Sequence, residues 1–159
     1  MISSHGSMIA AIDPEAARTR SSVRVRFCDT DLMGIVHHAN YLAYFEMGRV
    51  EWLRRRGVTY ADWAAGGLHL PVVDADVRYR APARFDDALV IEVRLVELRA
   101  ASLRFEYRLD RQSELLAEGS TRLACVGATH RPQRFPPEVL AVLLSPENRP
   151  PSTDAQEGS

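Results

Sequence analysis

The connection between the first predicted strand and the long predicted helix concentrates side chains that can carry out acid–base chemistry. It contains Asp29, Asp31, Gly34, His37 and His38 within ten residues. The first turn of a helix offers free backbone N–H groups and a positive dipole end, which favour carboxylates and stabilise negative charge on a carbonyl oxygen. The sequence therefore predicts an active site in this connection.

A metal site is the alternative that these side chains leave open. Asp29, Asp31, His37 and His38 are all potential ligands. Their spacing matches no known metal-binding motif, and adjacent histidines on a helix point apart. We therefore expect no metal here, and we expect Asp29 to be structural, closing a turn through its carboxylate.

The composition is typical of one globular domain. The chain has 159 residues, a net charge of -1 and 46% hydrophobic residues. The charge gives no general attraction to nucleic acid, and no apolar run reaches the roughly 18 residues of a membrane-spanning helix. Cys28 and Cys125 are too few and too distant for a disulfide framework, so we expect reduced thiols in a cytoplasmic protein, with Cys28 packed against the core.

A helical pattern extends from about Ala39 to Arg56 and is followed by Gly57, a typical helix stop. Asn40 is a plausible N-cap. Gly48 costs about 1 kcal/mol within a helix, which the close approach of another backbone would explain. We expect Arg54–Arg56 to be solvated at the helix end. The buried face is predicted to comprise Tyr41, Tyr44, Phe45, Gly48 and Trp52.

The remaining pattern has a period of two residues, which indicates strands. The short connections between them predict hairpins and an antiparallel meander. One apolar helix and one dry sheet face must cover each other, so we expect an α+β hotdog fold: a five-stranded antiparallel sheet wrapped around one long helix. The predicted strands are Val23–Phe27, Val73–Ala81, Leu89–Leu95, Leu103–Leu109 and Leu115–Gly127.

The domain is expected to span residues 21–144, with a short amphipathic segment at Pro137–Leu144 at its end. Residues 1–20 and 145–159 are predicted to be flexible segments. The latter contains three prolines and a polar remainder, which bury too little apolar surface to become ordered.

Three motifs resemble a known family. Residues 25–41 read V-R-F-x-D-T-D-x-x-G-I-V-x-H-A-N-Y, and F-E-x-x-R follows at 45–49. Residues 77–87 read V-R-Y-x-x-P-A-x-x-D-D, and Arg131-Pro132 follows the last strand. Over roughly residues 23–137 the chain resembles the hotdog acyl-CoA thioesterases of the 4-hydroxybenzoyl-CoA thioesterase type, especially the YbgC-like branch.

The resemblance implies hydrolysis of an acyl-CoA thioester without a cofactor, by a homodimer or homotetramer. It makes Asp31 the catalytic carboxylate, acting as base or nucleophile, and Gly34 the residue that lets the chain turn tightly. It places the backbone N–H of His38 against the thioester carbonyl. Arg131, and less strongly Arg99, are implied to bind the phosphates of coenzyme A. A short aliphatic and an aromatic acyl group are both compatible with the aromatic helix.

Two other functions stay open from the sequence. One is a non-catalytic module that binds acyl-CoA or an acyl carrier in the same pocket. The other is a hotdog dehydratase, which needs a histidine and an acid as an acid–base pair. His38 with Glu46 or Glu51 is the candidate pair for that chemistry.

Overall fold

One long helix packs against one face of a five-stranded antiparallel sheet in the computed structural model, which describes residues 7–148. The strand order is β1-β3-β4-β5-β2. The elements are β1 (Arg18–Arg24), a 3-10 helix (Phe27–Asp29), α1 (Asn40–Arg54), α2 (Tyr60–Ala65), β2 (Val72–Tyr79), β3 (Ala88–Leu98), β4 (Ser102–Arg111), β5 (Glu114–Ala124) and α3 (Pro137–Leu143). The predicted hotdog fold is confirmed.

The core lies between α1 and the inner face of the sheet. Phe45 and Trp52 of α1 are completely buried against alternate residues of β3 and β4. A Cβ atom on Gly48 would lie 2.8 Å from the Cγ2 atoms of Ile91 and Val93. The glycine therefore allows α1 to lie close to β3, although the neighbours are side chains rather than the predicted backbone.

The first strand begins earlier than predicted. β1 pairs with β3 from Arg18 to Arg24, whereas the alternation predicted Val23–Phe27. The chain then leaves the sheet for the 3-10 helix, in which Phe27 is 77% exposed. The sheet thus begins three residues before the predicted domain boundary. Residues 1–6 and 149–159 of the two predicted flexible segments lie outside the described residues.

The predicted hairpin between β2 and β3 is wrong. β3 has β1 on one side and β4 on the other, so neither of its edges is open to β2. β2 instead pairs with β5 and forms an edge of the sheet. Its second edge pairs with no strand among residues 7–148. Most of its side chains are exposed, including Val73 and Tyr79.

The predicted solvent exposure of the arginines at the end of α1 is wrong for Arg56, which is only 4% exposed. Its guanidinium lies 3.6 Å from the centre of the Trp52 ring. Burial lowers the pKa of Arg56 to about 10, although nearby Glu147 opposes this shift. The guanidinium donates hydrogen bonds to the carbonyl oxygens of Ala16, Trp52 and Ser145 and to Thr19 Oγ1. Arg56 thus joins the segments before β1 and after α3 to the end of α1.

Among residues 7–148, no helix combines the length and the apolarity that crossing a bilayer requires.

Candidate active site

A tight hairpin between the 3-10 helix and α1 carries Asp31. Thr30 and Val36 form its antiparallel bridge. The N–H of Asp31 donates to the Ile35 carbonyl at 2.9 Å, and the N–H of Gly34 donates to the Asp31 carbonyl at 3.0 Å. Gly34 has a φ of 77°, the left-handed conformation that a glycine adopts at little cost at the end of such a turn. Gly34 therefore occupies a position at which the backbone itself favours glycine.

The carboxylate of Asp31 is held on one side only. Its Oδ1 accepts the N–H of Met33 at 2.8 Å, which fixes the orientation of the side chain. Its Oδ2 accepts no hydrogen bond within the described chain. The residue is half-buried, and Leu32 and Met33 beside it are strongly exposed. Oδ1 thus fixes the orientation of the carboxylate, and Oδ2 is available to a water molecule or a substrate.

Asp29 has a different environment, as its predicted structural role requires. It is 4% exposed, and its carboxylate accepts hydrogen bonds from the Arg26 backbone at 3.0 Å, the Arg26 guanidinium at 2.9 Å and the Tyr44 hydroxyl at 2.9 Å. Burial raises the pKa of Asp29, but the hydrogen bonds from Arg26 and Tyr44 outweigh burial and hold it below its ordinary value. The carboxylate anchors the 3-10 helix to α1.

Hydrogen bonds hold the backbone on both sides of His38, just before α1. The N–H of His37 donates to the Asp29 carbonyl, that of Ala39 to His37 Nδ1, and that of Asn40 to the His37 carbonyl. The N–H of His38 has no acceptor among residues 7–148. Asn40 is not the N-cap; its side-chain amide donates to the Asp29 carbonyl at 2.7 Å. The backbone around His38 is therefore fixed while its own N–H is available.

The two histidine rings lie on the surface in front of α1. They stack at 4.2 Å between ring centres, because both residues precede the helix and do not diverge as they would within it. Among the described residues, no three His, Cys, Asp or Glu side chains come together in a way that could hold a metal ion.

The acid–base pair of a dehydratase is not brought together. Glu51 forms ion pairs with Arg54 and Arg55 near the end of α1. It lies eleven residues beyond Asn40, about 16 Å along the helix axis. Glu46 lies about 9 Å from Asn40 by the same rise. Neither glutamate has a contact with His38 in the described structure.

The two arginines expected to bind phosphates lie at the other end of the sheet. Arg24 pairs with Ala88 at the end from which the Asp31 hairpin departs, so the end of β3, and Arg99 after it, lie at the far end. Arg131 follows β5, in a loop that bridges the segment preceding β2. Arg131 is exposed, whereas the guanidinium of Arg99 lies 3.6 Å from Glu97 and is mostly buried. Arg131 is thus the better placed of the two to bind an anion.

The predicted packing of Cys28 is wrong, whereas Cys125 is buried. Cys28 belongs to the 3-10 helix, which turns its side chain away from the sheet and toward solvent. Its sulfur lies 3.9 Å from an Asp29 oxygen that Arg26 already binds.

An apolar cavity of about 220 Å³ lies between α1 and the sheet. Arg49 and Glu46 are its charged lining residues, and Arg49 donates to the Tyr107 hydroxyl at 3.1 Å. The apolar lining is Val50, Leu53, Leu70, Val72, Leu103, Phe105, Leu123 and Leu143, with Tyr60 beside them. Val72 belongs to the open edge strand and is 45% exposed, so the cavity reaches that edge of the sheet.

Tyr79 contacts the start of α1, which the sequence pattern does not predict. The hydroxyl of Tyr79 donates to the His38 carbonyl at 2.8 Å. Its ring packs edge-on against Tyr41, with 5.0 Å between ring centres. The V-R-Y-x-x-P-A motif contains Tyr79, but a tyrosine in an alternating strand gives no sign of which carbonyl its hydroxyl will reach.

The chain is similar in sequence and fold to known thioesterases. The profile of the Thioesterase-like superfamily matches residues 25–143. The acyl-CoA thioesterase YbgC from Haemophilus influenzae is 36% identical over 76% of this chain and 90% of its own length. A solved structure of a protein from Thermus thermophilus is 40% identical, covers 78% of this chain and 95% of its own, and superposes with a TM-score of 0.76. A 4-hydroxybenzoyl-CoA thioesterase structure, 18% identical with a TM-score of 0.73 over 80% of this chain and 99% of its own, shares the fold.

Proposed function

This chain belongs to the Thioesterase-like superfamily, and on that premise we propose that it hydrolyses an acyl-CoA thioester where the Asp31 hairpin meets the start of α1. The observation that carries the proposal is the free N–H of His38 in the same short segment as a carboxylate with one unoccupied oxygen. These are the two groups that hydrolysis of a thioester requires: a donor for the oxyanion and a base or nucleophile.

The N–H of His38 binds the thioester carbonyl oxygen in this mechanism. The carbonyl of His37, in the same peptide group, accepts the N–H of Asn40 at 2.9 Å, which polarises the His38 N–H. The start of α1 adds its positive dipole end. Because both act on charge that develops in the transition state, they lower the barrier rather than only binding the substrate. A donor of this kind contributes about 3 kcal/mol.

Asp31 activates the attacking group through Oδ2. As a base, it takes a proton from a water molecule whose oxygen attacks the carbonyl carbon. As a nucleophile, its carboxylate forms a mixed anhydride that water then hydrolyses. In both routes the C–S bond breaks and coenzyme A departs as a thiolate, which is a good leaving group. Neither route needs a resident metal or redox cofactor.

A homodimer completes the site in this proposal. β2 presents an unpaired edge within the described chain, and exposed edges of this kind associate readily with another strand. Val72 and Tyr79, its two ends, are about 23 Å apart at 3.3 Å per residue. Antiparallel pairing of two β2 edges sets the Tyr79 end of one protomer beside the Val72 end of the other. Arg131 of the partner subunit would then approach the coenzyme A bound near His38.

The acyl group is a short aliphatic chain or a single aromatic ring. The cavity beside α1 lies at the Val72 end of β2, so in the proposed dimer the cavity of the partner subunit, and not the protomer's own, lies beside His38. Its volume is about 220 Å³, below the roughly 300 Å³ at which pockets for drug-sized ligands begin. It exceeds the roughly 150 Å³ that holds benzene in an engineered protein core. A long fatty acyl chain therefore exceeds this space, whereas a benzoyl or a short acyl group fits it.

The test of the proposed function is Asp31→Asn, assayed by release of free thiol from a panel of acyl-CoA substrates. We expect turnover to be lost while the affinity for a non-hydrolysable acyl-CoA thioether is retained. Asp86→Asn is the matched control, because Asp86 is an exposed aspartate whose φ of 66° asparagine tolerates. Undiminished hydrolysis by Asp31→Asn would refute the role of Asp31. Saturable binding by the wild-type protein without thiol release would favour a binding module.

The dimeric site has its own test. We expect Arg131→Ala to raise KM for acyl-CoA but not for the corresponding acyl-pantetheine thioester, which lacks the phosphates. Arg134→Ala serves as the control, because Arg134 is an exposed arginine of the same loop. Sedimentation should show a dimer or larger assembly, and a fully active monomer would contradict the arrangement.

A further inference from the structure

We propose that Tyr79 is a positioning residue for thioester hydrolysis, holding the backbone at His38 so that the free N–H faces the substrate carbonyl. The inference rests on the proposed function and deepens it, because it adds a residue of the sheet to a site otherwise built from the hairpin and α1.

The hydroxyl of Tyr79 reaches the backbone of His38 directly. It donates to the His38 carbonyl at 2.8 Å. Tyr79 is the last residue of β2, and its ring packs edge-on against Tyr41, which is buried in α1. The hydroxyl of Tyr41 in turn accepts the N–H of Ala83 at 3.2 Å. The ring of Tyr79 is therefore positioned by Tyr41, which is buried and whose hydroxyl is hydrogen-bonded to the backbone.

The peptide groups on the two sides of His38 are held by different partners. The preceding peptide, formed by the His37 carbonyl and the His38 N–H, is fixed by the N–H of Asn40, which donates to the His37 carbonyl. The following peptide is fixed by Tyr79 at its carbonyl and by His37 Nδ1 at the Ala39 N–H. Because the direction of the His38 N–H depends on the backbone dihedrals there, loss of the Tyr79 bond leaves the second peptide with one restraint.

Burial does not account for the hydrogen bond between the Tyr79 hydroxyl and His38. Tyr79 is 50% exposed, so water could satisfy its hydroxyl at no cost to the fold. Partial burial, and secondarily Tyr41, raise the pKa of Tyr79 above its ordinary value, so the phenol stays protonated and remains a donor at neutral pH. The hydrogen bond to His38 is therefore one that the packing of the core does not require.

The position of Tyr79 also connects the site to the open edge of the sheet. β2 is the strand that we propose to pair with a second subunit. Any shift of its last residue moves the restraint on the His38 carbonyl. The oxyanion donor is thereby coupled to the edge at which two copies meet.

The test is Tyr79→Phe, which removes one oxygen and keeps the ring against Tyr41. We expect kcat for acyl-CoA to fall about tenfold, the equivalent of one hydrogen bond, with KM nearly unchanged. The affinity for a coenzyme A trifluoromethyl ketone, whose carbonyl carbon becomes tetrahedral when hydrated, should fall by the same factor. The affinity for an acyl-CoA thioether, which has no carbonyl, should not change.

Ser145→Ala is the control. The Ser145 hydroxyl donates to the Val142 carbonyl at 2.6 Å, so this variant also loses one hydroxyl-to-backbone bond, but beside Arg56 at the end of α1 remote from His38. We expect its kcat to equal that of the wild type. Full kcat in Tyr79→Phe, or equal losses of ketone and thioether affinity, would overturn this inference alone. A wild-type protein that hydrolyses no acyl-CoA would overturn the proposed function, and this inference with it.

Discussion

The buried hydrogen bond between Tyr44 and Asp29 should stabilise the protein in a way that depends on pH. Tyr44 of α1 donates to the Asp29 carboxylate at 2.9 Å. Tyr44 is 2% exposed and the side chain of Asp29 is 5% exposed, so water screens the bond little. Tyr44→Phe removes only the hydroxyl and leaves the ring in the core.

The expected loss is about 1.5–3 kcal/mol of unfolding free energy at pH 7, the range for a hydrogen bond to a charged group. The lower half of this range is the better expectation. Arg26 still supplies backbone and guanidinium donors to Asp29, so the carboxylate is not left without partners. The control is Tyr41→Phe, whose hydroxyl accepts one backbone N–H from Ala83. It should lose about 1 kcal/mol at every pH, because both partners are neutral.

The pH dependence follows from the lowered pKa of Asp29 in the folded protein. Such a group contributes stability above its unfolded pKa, about 3.9, and this contribution is lost as the pH falls through its folded pKa. Tyr44→Phe removes one of the bonds that lower that pKa. The stability difference between wild type and variant should therefore be full above about pH 5 and narrow below about pH 4.

Urea unfolding followed by tryptophan fluorescence measures the difference, since Trp52 lies in the core. Unfolding curves at pH 7, 5 and 3.5 give the free energies, with the double variant Tyr44→Phe/Asp29→Asn closing a mutant cycle. A coupling energy near zero at pH 7, or a gap that does not change with pH, would refute the assignment of Asp29 as an ionised anchor.

Three further substitutions test other parts of the structure. Gly48→Ala places a methyl group 2.8 Å from the side chains of Ile91 and Val93. Overpacking costs about 1–3 kcal/mol and exceeds the gain of about 1 kcal/mol in helix propensity, so urea unfolding should show a net loss of about 1 kcal/mol of stability. A gain in stability would mean that α1 shifts freely. Gly34→Ala should cost about 1–2 kcal/mol of stability because φ is 77°, and it should lower kcat in the thiol-release assay. Gly34→Asn should retain more activity. Equal losses of activity in the two variants would argue against a requirement for the left-handed conformation. Arg56→Met leaves its four neutral oxygen partners without this donor. It should cost about 3–5 kcal/mol in urea unfolding, because each buried acceptor left unsatisfied costs about 1–3 kcal/mol. A loss below 1 kcal/mol would show that water replaces the guanidinium.

Local periodicity was sufficient to predict α1 and most of the strands. The pattern over Ala39–Arg56 matches α1 within two residues, because its apolar face is buried by a single sheet. The partner of β2 was not predictable in the same way. A short connection favours a hairpin, but the edges of β3 are occupied by β1 and β4. That competition involves residues far apart in sequence and leaves no local signal.

In the candidate site too, residues within one local motif were predictable from the sequence, whereas contacts between distant segments were not. Asp31, Gly34 and His38 lie in one continuous motif, so the sequence predicts them together as site residues. Tyr79 reaches His38 only through the fold. Arg56 matched a common surface pattern, a basic helix end, yet it is buried because the segments at Ala16 and Ser145 fold over it. Contacts of this kind become visible only when distant segments meet.

Two carboxylates that are two residues apart illustrate why environment rather than residue type assigns the roles. Asp29 is buried, and its acceptor positions are taken by Arg26 and Tyr44, so it has no oxygen left for a substrate. Asp31 lies in the turn, where one oxygen is fixed by Met33 and the other is unoccupied within residues 7–148. Exchanging the two roles would require breaking the anchor of α1. The backbone carbonyl of Asp29 also accepts the N–H of His37, the residue just before the free N–H of His38. In the proposed mechanism, the buried Asp29 therefore contributes only by helping to hold the backbone that carries the His38 N–H, whereas the half-buried Asp31 supplies the free carboxylate oxygen.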